Sequence, residues 1–165
     1  MPHKTDLAAA LCSLVFIGVL AVAAYWDRTI RILHLFESLP YLLAAILCLR
    51  QSKLGYALGI VSGAFWLWMA GFLTTFVRNG FERLDIVVRT GSIDRPDILI
   101  AVPAAVATTG LVLLSGVGYA RLRNKSWRDL TPFAAAIVSV PVFFIGIFAA
   151  FAPQYLAMFK GVVNR

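Results

Sequence analysis

Five apolar runs, each near twenty residues long, constrain this chain more than any other feature. They cover residues 7–26, 32–49, 54–77, 98–120 and 132–152. Coiled as a helix, a run of this length crosses the roughly 30 Å of hydrocarbon in a bilayer. A helix also satisfies its own backbone hydrogen bonds, which lipid cannot do for it. Composition agrees: 61% of residues are hydrophobic and 14% charged, with a mean hydropathy of +0.84, against about 25% charged in a water-soluble domain. A soluble fold of 165 residues has too little interior to hide that much apolar surface. The expectation is an all-α integral membrane protein. It is a single domain over residues 1–165, a bundle of five transmembrane helices with one longer polar loop between helices three and four.

Two points qualify the helix assignments. Lys4 precedes the first run, and Ala21-Val22-Ala23 has the small-residue pattern of a signal-peptidase site; the run is read as a retained helix. Pro40 disfavours helix at Leu39. Residues 39–49 alone would rise only about 16 Å, too little to span, so helix two is expected to run through the proline with a kink. Pro103 and Pro141 are expected to kink helices four and five.

The links at residues 27–31 and 50–53 are short, so helices one, two and three run antiparallel in turn. Residues 78–97 form the only long loop. Its acids and bases alternate, which reads as a self-paired surface. Within it, "LDIVVRTGSID" is read as a short hairpin turning at Thr90-Gly91. Asp94 and Asp97 flank Arg95-Pro96, and the neighbouring arginines argue against a calcium site. Lys and Arg divide seven against eight between the two sides, so a count of basic residues does not orient the chain. The dense basic run "RLRNKSWRDLT" favours placing the N-terminus inside, in a plasma membrane or a bacterial inner membrane. The net charge of +7 suits basic flanks that meet anionic lipid. No basic block reads as a nucleic-acid groove.

Helix three carries the clearest packing signal. In "GYALGIVSG", Gly55, Gly59 and Gly63 recur every four residues on one face, where another helix can approach closely. That helix belongs to this chain, to a second copy or to a partner subunit. The following "FWLW" sets Phe65, Trp66 and Trp68 in mid-helix, where the rings are expected to face lipid or protein rather than a cofactor.

Helix two carries the clearest chemical signal. His34, Glu37, Ser38 and Tyr41 fall at i, i+3, i+4 and i+7, so they form one stripe. A charged side chain at the centre of a bilayer costs roughly 2.5–3.5 kcal/mol on an insertion scale. Gathering the polar groups on one inward face avoids that cost. Helix three ends at the same level with Thr74, Thr75 and Arg78. A polar pocket is therefore expected beneath the long loop, lined by His34, Glu37, Ser38, Tyr41, Thr74, Thr75 and Arg78. Glu37 either locks helices together by pairing with Arg31, Arg78 or His34, or it binds a ligand or handles protons.

No catalytic residue, metal set or cofactor is assigned. Two cysteines and two histidines do not make a zinc pattern. There is no nucleotide loop, nucleophile elbow or HExxH motif. The favoured function is a non-catalytic membrane subunit or accessory protein, with the bilayer and other membrane subunits or a second copy as partners. The alternative is a small oligomeric transporter or channel with Glu37 on its path.

Overall fold

A computed structural model describes residues 2–122 and 130–156. Among them every regular element is helical. Five helices are long and apolar enough to cross a membrane: Lys4–Trp26, Arg28–Leu49, Lys53–Leu73, Pro96–Arg121 and Leu130–Phe151.

Helix α1 (Lys4–Trp26) opens on a reciprocal cap in which the His3 backbone N–H donates to Asp6 Oδ2 at 2.8 Å. It closes at Asp27, whose carboxylate accepts from the Thr29 N–H and hydroxyl at 2.9 and 2.6 Å. That bond pair starts the single 3-10 turn Arg28–Ile30, which reverses the chain into α2 (Arg31–Leu49). Pro40 lies inside α2, so the helix does run through it. Three residues then turn the chain, with Gln51 in the left-handed region at φ 55°, into α3 (Lys53–Trp68).

Helix α3 is the central element. Half of its spanning segment is buried, the largest share of the five, and it packs on α2, on α6 (Ala101–Arg121) and on α7 (Leu130–Phe151). Its glycines explain how two of these neighbours, α2 and α6, approach so closely. A Cβ on Gly55 would lie 2.5 Å from the Leu47 backbone of α2, and one on Gly63 would lie 2.7 Å from Val112 of α6. A Cβ on Gly59 would collide with the Ser115 hydroxyl of α6. The glycine face is thus filled by helices of this same chain.

The end of helix three departs from the sequence reading. The helix widens into a single π turn over Met69–Leu73, Thr75 takes a left-handed φ of 53°, and the chain turns there. Phe76 and Val77 belong to the next helix instead. Nor do residues 84–94 form a hairpin. Helix α4 (Phe76–Thr90) occupies most of the supposed loop. Phe76, Val77, Gly80, Leu84 and Val87 recur at helical spacing on its inward side, while Arg78–Glu82 and Arg89–Asp85 pair outward at i, i+4. Gly91, at φ 68°, caps the helix by donating its N–H to the Val87 carbonyl at 2.8 Å. So the Thr90-Gly91 signal marks a helix end, because the apolar period around it is 3.6 and not 2.

Two further salt bridges, Arg83–Asp94 and Arg95–Asp97, both at 2.7 Å, complete the self-paired surface expected there. A short turn, α5 (Pro96–Leu99), leads into α6 (Ala101–Arg121). Pro103 sits in the first turn of α6, where a missing N–H costs nothing, so the break falls before it, at Ile100. Helix α7 (Leu130–Phe151) carries Pro141 internally, and residues 153–156 add one more helical turn. Most of the basic link between α6 and α7, residues 123–129, lies outside the described residues.

Candidate functional site around Glu37

The end of the bundle away from the N-terminus contains a cavity of about 440 Å³. Volumes of about 300–1,000 Å³ with mostly apolar walls and a few polar groups are typical of small-molecule sites. The walls here follow that pattern. Phe16 and Leu20 of α1, Leu33 of α2, Trp66 and Met69 at the end of α3, and Phe148 of α7 form the apolar body. The π turn matters here, because one extra residue per turn re-aims the side chains that follow, and Met69, Ala70 and Leu73 all reach the lining. Trp66 is buried and packs edge-on against Phe16 at 5.0 Å, so it faces the interior rather than lipid.

The polar groups are concentrated on α2. Glu37 is only 5% exposed. Its Oε2 lies 2.8 Å from His34 Nδ1, and both residues line the cavity. Among the described residues nothing else hydrogen-bonds the Glu37 carboxylate, which leaves Oε1 as an unused acceptor. At the mouth stand Asp27, Asn79 and Asp97. Asp97 is occupied by Arg95 in a two-bond pair at 3.0 and 2.7 Å. Asp27 is held below its ordinary carboxylate pKa by the Thr29 hydroxyl and then by the Thr29 backbone N–H. The Tyr155 phenol, following α7, also reaches the lining; burial, and then the Glu37 and Asp27 charges, push it above its ordinary value.

The structure gathers part of the predicted pocket. His34, Glu37 and Thr74 line the cavity. Tyr41 is fully buried one turn further in and donates to the Ser62 carbonyl at 3.0 Å. Ser38 donates to the Leu35 carbonyl of its own helix at 2.7 Å. Thr75 forms the turn into α4, and Arg78 points outward to Glu82. Arg31 donates to the Ala24 carbonyl at 3.3 Å. The partner of Glu37 is therefore His34, and neither candidate arginine.

A second polar cluster lies at the opposite end and carries no motif. Asp6 is 1% exposed. It accepts from the Tyr56 hydroxyl at 2.7 Å and from Gln51 Nε2 at 3.1 Å. A hollow of about 340 Å³ beside it is lined by His3, Gln51, Tyr56 and Arg121. An acid in the first turn of an apolar run looks like an ordinary helix-start residue. Its only sequence signal is that it belongs to the inward face with Ala9, Ala10 and Ser13. Among the described residues no three His, Cys, Asp or Glu side chains converge as a metal site.

Set against protein-family models, curated proteins and solved structures, the chain matches none.

Proposed function

We propose that this is an integral membrane protein that takes up an amphipathic small molecule with a cationic or N–H-donating head, as a small carrier or transporter without covalent chemistry. The observation that carries this reading is the buried Glu37, paired with His34 in the wall of a mostly apolar cavity of about 440 Å³. An apolar ligand body would be held by Phe16, Trp66 and Phe148. The free Oε1 of Glu37 would accept from the head group. Trp66 and Phe16 would add attraction between cation and ring, and Asp27 at the mouth would favour entry of positive charge.

The accessory-subunit reading has less specific support. Its glycine face is already covered by α2 and α6. For orientation we place the N-terminal end in the cytoplasm. At the other end Arg78, Arg83, Arg89 and Arg95 are each paired with an acid. Arg28 and Arg31 on that side are matched in number by Asp27 and Glu37, so among the described residues net positive charge, suited to the anionic cytoplasmic leaflet, is left with Lys4, Arg50 and Arg121 at the N-terminal end.

The test uses the purified protein in lipid nanodiscs with a series of N-alkyl benzylamines and the matching benzyl alcohols as neutral controls. Amines are expected to raise the melting temperature of the parent, the alcohols to leave it unchanged, and Glu37→Gln to remove the amine effect. An equal response of parent and Glu37→Gln, or no response of the parent at all, would refute the reading.

A further inference from the structure

Between the two buried carboxylates the core holds a graded series of hydroxyl groups. Glu37, Tyr41 and Cys48 lie on one face of α2, and the eleven steps from first to last rise roughly 16 Å. Beginning at the N-terminal end, Asp6 accepts from Tyr56. Cys48 of α2 and Ser115 of α6 come next, within reach of each other where Gly59 leaves room for the Ser115 hydroxyl. About one turn deeper are Ser62 of α3 and Ser13 of α1, with the Tyr41 hydroxyl on the Ser62 carbonyl. One turn beyond Tyr41 is Glu37, then His34 and the cavity.

Ser13, Ser62 and Ser115 are each 0% exposed; among the described residues the Oγ atoms of Ser13 and Ser62 have no hydrogen-bond partner, and that of Ser115 has only the Cys48 thiol beside it. A buried hydroxyl without a partner has lost its bonds to water and gained none in return. Three such side chains, on the inward faces of three different helices and at two successive levels, run against stability. Thr108 shows the cheaper arrangement, its hydroxyl returned to the Ala104 carbonyl of its own helix at 2.8 Å.

We infer that this series is a proton path through the bundle, joining Glu37 at the cavity to Asp6 at the N-terminal end through Tyr41, Ser62, Ser115 and Tyr56. A proton entering from the cavity binds Glu37. Each hydroxyl then accepts one proton and releases its own to the next through a bridging water, because the Ser62 and Ser115 hydroxyls do not hydrogen-bond their neighbours in the path directly. Asp6 receives the last and releases it into the hollow beside His3 and Arg121. One positive charge moves per passage, no bond other than O–H is made or broken, and a pH gradient or membrane potential supplies the driving force. The ionisable groups facing Glu37 are His34, Tyr41 and Tyr155. Those facing Asp6 are His3 and Tyr56, with Cys48 and Arg121 near Tyr56.

The path uses Glu37 in common with the proposed ligand site but stands on the core hydroxyls. The test is proton flux into proteoliposomes loaded with the pH dye pyranine, driven by a potassium gradient with valinomycin. The parent is expected to change lumenal pH faster than protein-free vesicles. Glu37→Gln and Asp6→Asn should reduce the rate to that of protein-free vesicles. Ser115→Ala should raise the melting temperature, since it deletes a buried hydroxyl whose only neighbour is the Cys48 thiol, and yet slow the flux. A purely structural serine would give the first effect without the second. Parent flux equal to protein-free vesicles overturns the inference, as does unchanged flux in folded carboxylate variants. Should Asp6→Asn fail to fold, unchanged flux in Ser115→Ala has the same force. Flux that depends on Asp6 and Glu37 without amine binding would leave the path standing and the ligand reading refuted; amine binding without flux would do the reverse.

Discussion

The Tyr56 hydroxyl donates to Asp6 Oδ1 at 2.7 Å, joining the first turn of α1 to the first turn of α3 across fifty residues of chain. The Asp6 carboxylate is buried, and the Tyr56 ring is itself clamped against Gly118, where a Cβ would collide with it. Hydrogen bonds to charged groups contribute about 1.5–3 kcal/mol. Tyr56→Phe keeps the ring and removes the donor, so it should destabilise the fold by about that amount. A melting curve in detergent measures it, and an unchanged midpoint would show that Gln51 and the His3 N–H suffice for Asp6.

Gly59 of α3 and Gly116 of α6 should respond oppositely to enlargement. Gly59→Leu forces side chains into α6 and should cost at least the roughly 1–3 kcal/mol of an overpacked core. At Gly116 a Cβ would meet no atom within 4 Å. Replacing it with Ala in mid-helix should stabilise by up to about 1 kcal/mol. Paired thermal denaturation of the two variants checks both signs.

Gly80 should control access to the cavity. A Cβ there would lie 2.7 Å from the Ala101 Cβ, at the contact that seats α4 on α6. Gly80→Leu is expected to lift α4. A cysteine placed at Thr74 should then react faster with a water-soluble maleimide than in the otherwise unchanged protein. Equal labelling rates would mean that α4 does not cover the cavity.

Acid should loosen the link between α1 and α2. Asp27 has its folded pKa depressed below the ordinary 3.8 by the two Thr29 bonds. A depressed carboxyl contributes stability that is full above its unfolded pKa and is lost as pH falls through the folded value. Melting temperature should therefore fall below about pH 4, and Asp27→Asn should flatten part of that decline. Identical acid profiles for the two proteins would remove this role from Asp27.

Much of the plan was legible along the chain. Five apolar runs determined five helices, because a helix long enough to cross hydrocarbon is a local property of some twenty residues. The His34–Glu37 pair was also local, being three residues apart on one helix face, and the four-residue glycine spacing announced a close helix contact. What covered the glycines was not local. Only the packed bundle put Leu47, Ser115 and Val112 against them. Helix α4 was obscured by its charges, since apolar content alone separates a spanning helix from a loop but misses a surface helix whose period must be counted. The clearest case is Asp6. Its partners Gln51 and Tyr56 are 45 and 50 residues away, so no spacing rule links them. The burial of that carboxylate, and the ordering of Ser13, Ser62 and Ser115 between it and Glu37, arise only when antiparallel helices bring distant positions to the same depth.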